Sequence, residues 1–349
     1  MATEFFFGAI EAEKRGLTVE HREVDVVAWP PIRPRAIEMW TQHAFSAHLA
    51  GRSLRGARAL ARTLPAADCI VVAEEALALG MSFLAMVRGI RIPVVCIRCR
   101  LSTLKSRSPA LRILTSFIIR ATHTILISRA EADTLPKRFS LKQHHYSFNP
   151  FGVDEGFWRP AEKQGEFVLT VGDSFRDYET LLTAAQDIEA PILIVTSQPI
   201  NERLPKNVTV RAGSWRKEVL RDDELRDLYQ RAICVAVPLT DRLAPTGQSV
   251  CLQAMSCAKP VIMTRTRGLW NQSLRDGQNI FLVGPGDSAC LASRVNRLVE
   301  DPSLAAELGY AGRESVCRHF RIADFADRLE AICRRLVAHR VRSLATRST

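Results

Sequence analysis

Thr246-Gly247-Gln248-Ser249 stand just ahead of Val250, Cys251, Ala254, Met255 and Ala258, apolar positions that recur at helical spacing. The pattern predicts a short helix over 249–257, ended by Pro260 and followed by Val261-Ile262, a β-branched pair suited to a buried parallel strand. A glycine-bearing turn that opens such a helix leaves backbone N–H groups pointing outward, with the positive end of the helix dipole behind them. That is chemistry for holding a phosphate. A glycine in this place also serves helix packing alone in many α/β proteins, so the turn needs support from the rest of the chain. Other reactive side chains offer less. Cys96 and Cys99 form a single C-x-x-C with neither a second pair nor a histidine at ligand spacing, which fits two strand-end thiols better than zinc or redox chemistry. His123 and the pair His144-His145 are candidate bases, but isolated histidines are more often structural. No Asp-x-Asp is found on a loop, so neither a metal nor another cofactor is expected.

The elements that would position this turn alternate between strand and helix. Strands are predicted over 166–171, 191–196, 208–211, 234–238 and 280–283, with helices over 178–188 and 223–232, and the last helices over 288–300, 303–317 and 322–341. Such alternation gives a mostly parallel sheet with ligands at the carboxyl ends of its strands. The earlier part of the chain alternates too, with helices over 3–15, 36–63 and 76–87 and strands over 17–27, 68–73, 93–97 and 124–127. A short helix capped by Ser128 follows. Composition agrees with two ordinary domains, since 349 residues with an apolar fraction of 47% can bury two cores. No stretch reaches the roughly 20 apolar residues of a spanning helix, and no secretory leader is visible. Nine scattered cysteines fit reduced thiols, so a cytoplasmic location is expected.

Charge is unevenly placed. Ten Lys and Arg against two acids between Arg98 and His145, and five arginines against none from Ala331 to Thr349, contribute +13 to a net charge of +11. A localised basic surface implies an anionic partner. Nucleic acid is disfavoured because no recognition helix, zinc finger or aromatic-basic RNA motif is present. An anionic membrane surface suits the basic and apolar segment 105–120 better.

Beyond Val261-Ile262 come Gly268-Leu269, Asp276-Gly277-Gln278-Asn279, the apolar run 280–283 and Pro285-Gly286-Asp287. This order, with Asn149-Pro150-Phe151-Gly152-Val153-Asp154 and Phe157-Trp158 earlier, resembles the retaining family 4 glycosyltransferases (glycosyl transferases group 1) of the GT-B fold. The resemblance implies an α/β chain of two Rossmann-like domains with parallel sheets: an acceptor-side domain over 1–158, a nucleotide-sugar donor domain over 166–320, and a C-terminal helix and basic tail over 321–349 crossing back to the first domain. The family begins with a strand and glycine-rich loop before the first helix, so a first strand is expected upstream of this chain. The implied activity is hexosyl transfer from a nucleotide-sugar donor to a sugar, lipid-linked or polysaccharide acceptor, retaining and metal-independent, at the inner face of a membrane.

The family's two glutamates fall on Pro245 and Gln253, and its glycine after them on Ala258. Its arginine and lysine on the diphosphate fall on Asp173 and Arg176, so Arg176 is the cation expected to stabilise the departing diphosphate, with Gly172 ahead of it. Gly247, Gln248 and Ser249 would offer N–H groups and a hydroxyl to the distal phosphate and sugar, with Thr246 in the same turn. Gln253, four residues along the helix from Ser249, would meet the ribose. Arg211 and Trp215 are candidates for lining the base. Arg98 and Arg100 stand where the family often has a histidine near the sugar.

Overall fold

A computed structural model describes residues 9–15, 68–72, 81, 92–97, 120, 122–163, 165–213 and 220–345. They divide into two units, one formed by Pro150–Ala326 with the chain up to Glu11 and the other by the residues from Ala12 to Asn149 together with the chain from Asp327.

The first unit is built on a six-stranded parallel sheet. Its strands are β5 (Phe167–Val171), β6 (Ile192–Thr196), β7 (Val208–Ala212), β8 (Ala232–Val237), β9 (Val261–Thr264) and β10 (Phe281–Val283), in the order β10-β9-β8-β5-β6-β7. β5, β9 and β10 are buried along their whole length, which is why they read as continuous apolar runs rather than alternating ones. Between them run α3 (Tyr178–Ala184), α4 (Asp222–Arg231), α5 (Gln248–Ser256), α6 (Ser288–Glu300) and α7 (Pro302–His319). Each of α3, α6 and α7 starts where an aspartate side chain, from Asp177, Asp287 and Asp301 respectively, accepts a backbone N–H of the first turn. α3 is shorter than its apolar pattern suggests and passes into a 3-10 turn at Ala185–Asp187.

α5 is buried along almost its whole length, from Val250 to Ser256. It ends as a helix with a Schellman turn: the Lys259 N–H reaches the Ala254 carbonyl at 3.0 Å and the Ala258 N–H the Met255 carbonyl at 2.9 Å. Ala258 itself sits at φ 55°, a conformation that favours glycine. The family that the sequence resembles has glycine at this position, and Ala258 takes the backbone geometry of a glycine.

The second unit has a four-stranded parallel sheet, β1 (Ile70–Val72), β2 (Val94–Ile97), β3 (His123–Leu126) and β4 (Tyr146–Phe148), paired in that order. β4 is absent from the sequence reading because its residues are half-buried and too few to show a pattern. α2 (Arg129–Phe139) follows β3, capped by the Ser128 hydroxyl as expected. α1 (Ala9–Lys14) brings Arg15 to Asp327 and Glu330. The last helix, α8 (Ile322–Ala345), starts in the first unit and continues in the second, where Arg328 Nε donates to Asn149 Oδ1 at 2.8 Å. The readings over 17–63, 76–80, 82–87 and 98–119 lie outside the described residues, and with them Arg98 and Arg100.

Candidate functional site

The strand order fixes where a ligand crevice falls. From β5 the chain moves to β6 and β7 on one side, then returns to β8 on the other, so the order reverses between β5 and β8. In an open parallel sheet the crevice lies outside the carboxyl ends of the strands at this reversal. The two loops there, 172–177 and 238–247, are joined by an antiparallel bridge between Arg176 and Leu239. The Asp177 N–H bonds to Pro238 O and the Thr240 N–H to Phe175 O, each at 3.1 Å.

Arg176 folds back over its own loop. Its Nε donates to Val171 O at 2.9 Å and one terminal nitrogen to Ser174 O at 3.1 Å. Gly172, at φ 116°, makes room: a Cβ there would lie 2.6 Å from a guanidinium nitrogen. Tyr178 donates its hydroxyl to Gly172 O from below. Burial lowers the Arg176 guanidinium from its ordinary value, opposed by Tyr178, Tyr229 and the Asp173 carboxylate nearby. An arginine still keeps its proton at neutral pH. Asp173, in the place of the family's arginine, ties the loop after β6. It accepts from Thr196 Oγ1 at 2.8 Å, from the Ser197 N–H at 2.7 Å and from Ser197 Oγ at 2.6 Å. Burial acts to raise the Asp173 carboxyl, and these bonds outweigh it and hold the group below its ordinary range.

The helix turn on the other loop takes the expected form. Gly247 is the N-cap of α5 at φ 75° and gives it no side-chain cap. A Cβ at this position would lie 2.9 Å from Val237 Cγ1, so glycine is needed both for the turn and for the close approach to β8. Thr246 is 8% exposed, and its hydroxyl has no hydrogen-bond partner among the described residues. Ser249 is half-buried and Gln248 buried. Gly172, Arg176, Thr246 and Gly247 therefore lie on the two loops at the strand reversal, and Gln248 and Ser249 open the helix that follows the second loop.

Gln253 is placed deeper, 3% exposed, with its Oε1 accepting the Tyr229 hydroxyl at 3.0 Å. Tyr229, on α4, packs edge-on against Trp158 at 5.7 Å, and Ser256 Oγ bonds to Trp158 O at 2.5 Å. Neither Tyr229 nor the Thr196-Ser197 pair was legible in the sequence, because each bond joins elements far apart in the chain. Arg211 pairs with Glu224 at 3.7 Å, and Trp215 lies outside the described residues.

Of the candidate histidines, His123 takes a structural place. His123 is buried, with Nδ1 3.0 Å from His144 O and Nε2 2.9 Å from Ser147 Oγ. Burial lowers it from 6.5 to about 4, so it is neutral at physiological pH. Among the described residues no group of three or more His, Cys, Asp or Glu is placed to hold a metal ion, and no helix is long and apolar enough to cross a membrane.

Residues 168–301 match the family model of glycosyl transferases group 1. The alpha-maltose-1-phosphate synthase of Mycolicibacterium smegmatis is 33% identical over 156 residues, which are 43% of this chain and 39% of that protein. The chain spans 24% and 39% of the length of the first two curated relatives that it matches. Among solved structures, sucrose-phosphate synthase from Thermosynechococcus elongatus superposes with a TM-score of 0.69 at 18% identity, over 92% of this chain and 86% of that one. Alr3699/HepE of Anabaena, solved with UDP, gives 0.62 at 16% identity over 82% of each chain. The chain thus has the GT-B fold, and its residues 168–301 form a glycosyl transferases group 1 domain.

Proposed function

We propose that this chain is a glycosyltransferase that moves a hexosyl group from a nucleotide-sugar donor to a lipid-linked or polysaccharide acceptor. The observation that carries the reading is the N-terminus of α5, to which its glycine N-cap gives no side-chain cap, beside the buried Thr246 hydroxyl, which has no hydrogen-bond partner among the described residues, at the β5/β8 reversal. A helix N-terminus with an orphaned donor beside it suits a diphosphate oxygen. As the sugar–phosphate bond breaks, negative charge grows on the diphosphate, and Arg176 across the crevice stabilises it. This is metal-independent catalysis by protein charge. The retaining course follows if the acceptor enters on the face the diphosphate leaves, with the leaving phosphate taking the acceptor's proton. UDP-sugars are the first donors to test, because Alr3699/HepE is solved with UDP and with UDP-glucose.

One observation favours a second reading. Gln253, in the place of a family glutamate, is engaged by Tyr229, and Pro245 replaces the other acid, which suits a relative that binds nucleotide without transfer. Diphosphate release from UDP-sugars separates the two. Release that requires an acceptor, and persists in EDTA, supports metal-independent transfer. Release without acceptor indicates hydrolysis, and binding with no release supports the second reading. The basic segment 105–120 is proposed to hold the protein at an anionic membrane face. Equal pelleting with anionic and neutral vesicles, or none with either, overturns that.

A further inference from the structure

The two crevice loops contain three carboxylates and two arginines, and their pairings are unequal. Asp173 is held by Thr196 and Ser197, Asp177 caps α3 through the Thr180 N–H at 3.1 Å, and Asp241 accepts Arg267 Nε at 2.8 Å. Neither Arg176 nor Arg242 forms an ion pair among the described residues. Arg242 is exposed, yet it is not loose. Its guanidinium lies 4.2 Å from the centroid of the Phe175 ring, and its Nε is 3.3 Å from Thr240 Oγ1. Phe175 takes φ 55°, a left-handed conformation costly for a bulky residue, and its carbonyl is held by the Thr240 N–H at 3.1 Å. The strained residue is the one immediately before Arg176. Both unpaired cations therefore hang on one short tie across the strand reversal.

We propose that Arg242, stacked on Phe175, is a second diphosphate-binding cation that acts with Arg176 and takes the place left vacant by Asp173. The inference rests on the donor-site reading above. A stacked guanidinium is pre-oriented by the ring while its terminal N–H groups stay available, so it loses little freedom on meeting a phosphate. Asp173 cannot do this. Its charge has the wrong sign, and both its oxygens are used within the loop.

The test is calorimetric titration of UDP, GDP and ADP into the full chain, then of the matching monophosphate and nucleoside for whichever diphosphate binds. Arg242→Ala is expected to weaken diphosphate binding about tenfold, the equivalent of one charge-assisted hydrogen bond. Nucleoside binding and the melting temperature should be unchanged. Arg242→Lys should recover part of the loss, and Phe175→Leu should show a smaller loss by freeing the guanidinium. Unchanged diphosphate binding in Arg242→Ala, alongside a loss in Arg176→Ala, overturns the inference and leaves the donor site standing. An equal loss for diphosphate, monophosphate and nucleoside also overturns it, because the residue then acts on the fold. If the parent protein binds none of the three diphosphates, the donor-site reading fails and the inference with it.

Discussion

Two polar clusters in this molecule are assembled by opposite rules. Around His123 both ring nitrogens are bonded, one near a carbonyl and one near the Ser147 hydroxyl, which Arg335 also approaches at 3.5 Å. At the β5/β8 reversal a buried hydroxyl on Thr246 has no hydrogen-bond partner among the described residues, and Arg176 spends its bonds on neutral carbonyls rather than on a carboxylate. The first arrangement is complete without a ligand. The second keeps positive charge and hydrogen-bonding capacity in reserve, which is what a site awaiting a polyanion requires. Arginines elsewhere at the same end of the sheet show the contrast again: Arg265 and Arg267, on the loop after β9, are matched by Asp276 and Asp241.

Removing a charge from the reserve should do the most. Arg176→Ala is expected to lower turnover about two to three orders of magnitude, with a smaller change in donor affinity, because its charge matters most as the diphosphate departs. Steady-state kinetics with a UDP-sugar checks this, and unchanged turnover removes Arg176 from the mechanism.

The completed cluster should respond to pH instead. His123 titrates near 4 in the folded chain and near 6.5 when exposed. Above pH 6.5 both states are neutral and the stability is whole. Between 6.5 and 4 the unfolded chain binds a proton that the folded chain refuses, so stability should fall by about 3 kcal/mol across that window and level off below it. Chemical denaturation at a series of pH values, compared with His123→Gln, should show the variant flatter. A profile identical to the parent's contradicts the assignment.

Gly247→Ala strains the turn itself, at about 1–2 kcal/mol for the left-handed backbone alone, with the approach to Val237 added. A lowered melting temperature together with weakened diphosphate binding is expected, and the loss of only one of the two would separate packing from recognition. The smallest effect is a gain. Ala258→Gly relieves the left-handed alanine at the end of α5 and should raise stability by about 1 kcal/mol, without touching ligand binding; a lower melting temperature refutes it.

The sequence showed the Gly247 turn and the strand–helix alternation clearly, because glycine placement, helix spacing and apolar runs are local signals. It showed Gly172 and Arg176 only through family position. It did not show what Asp173 does in the place of an arginine, since its three bonds come from residues more than twenty positions away. Nor did it place Gln253 against Tyr229, a contact that exists only once α4 and α5 lie side by side. Most helix ends moved by a residue or two, α3 stopped at Ala184 where the chain tightens into a 3-10 turn, and α8 ran to Ala345 because no breaker follows the expected stop at 341.

The loops at the β5/β8 reversal are proposed to hold a diphosphate. The most direct test is the ratio of nucleoside to nucleoside diphosphate dissociation constants, measured by calorimetry in the parent, Arg176→Ala and Arg267→Ala. The ratio is expected to shrink about tenfold in Arg176→Ala and to stay at the parent value in Arg267→Ala, whose arginine is already matched by Asp241. Equal ratios in all three proteins, or a loss confined to Arg267→Ala, would contradict it.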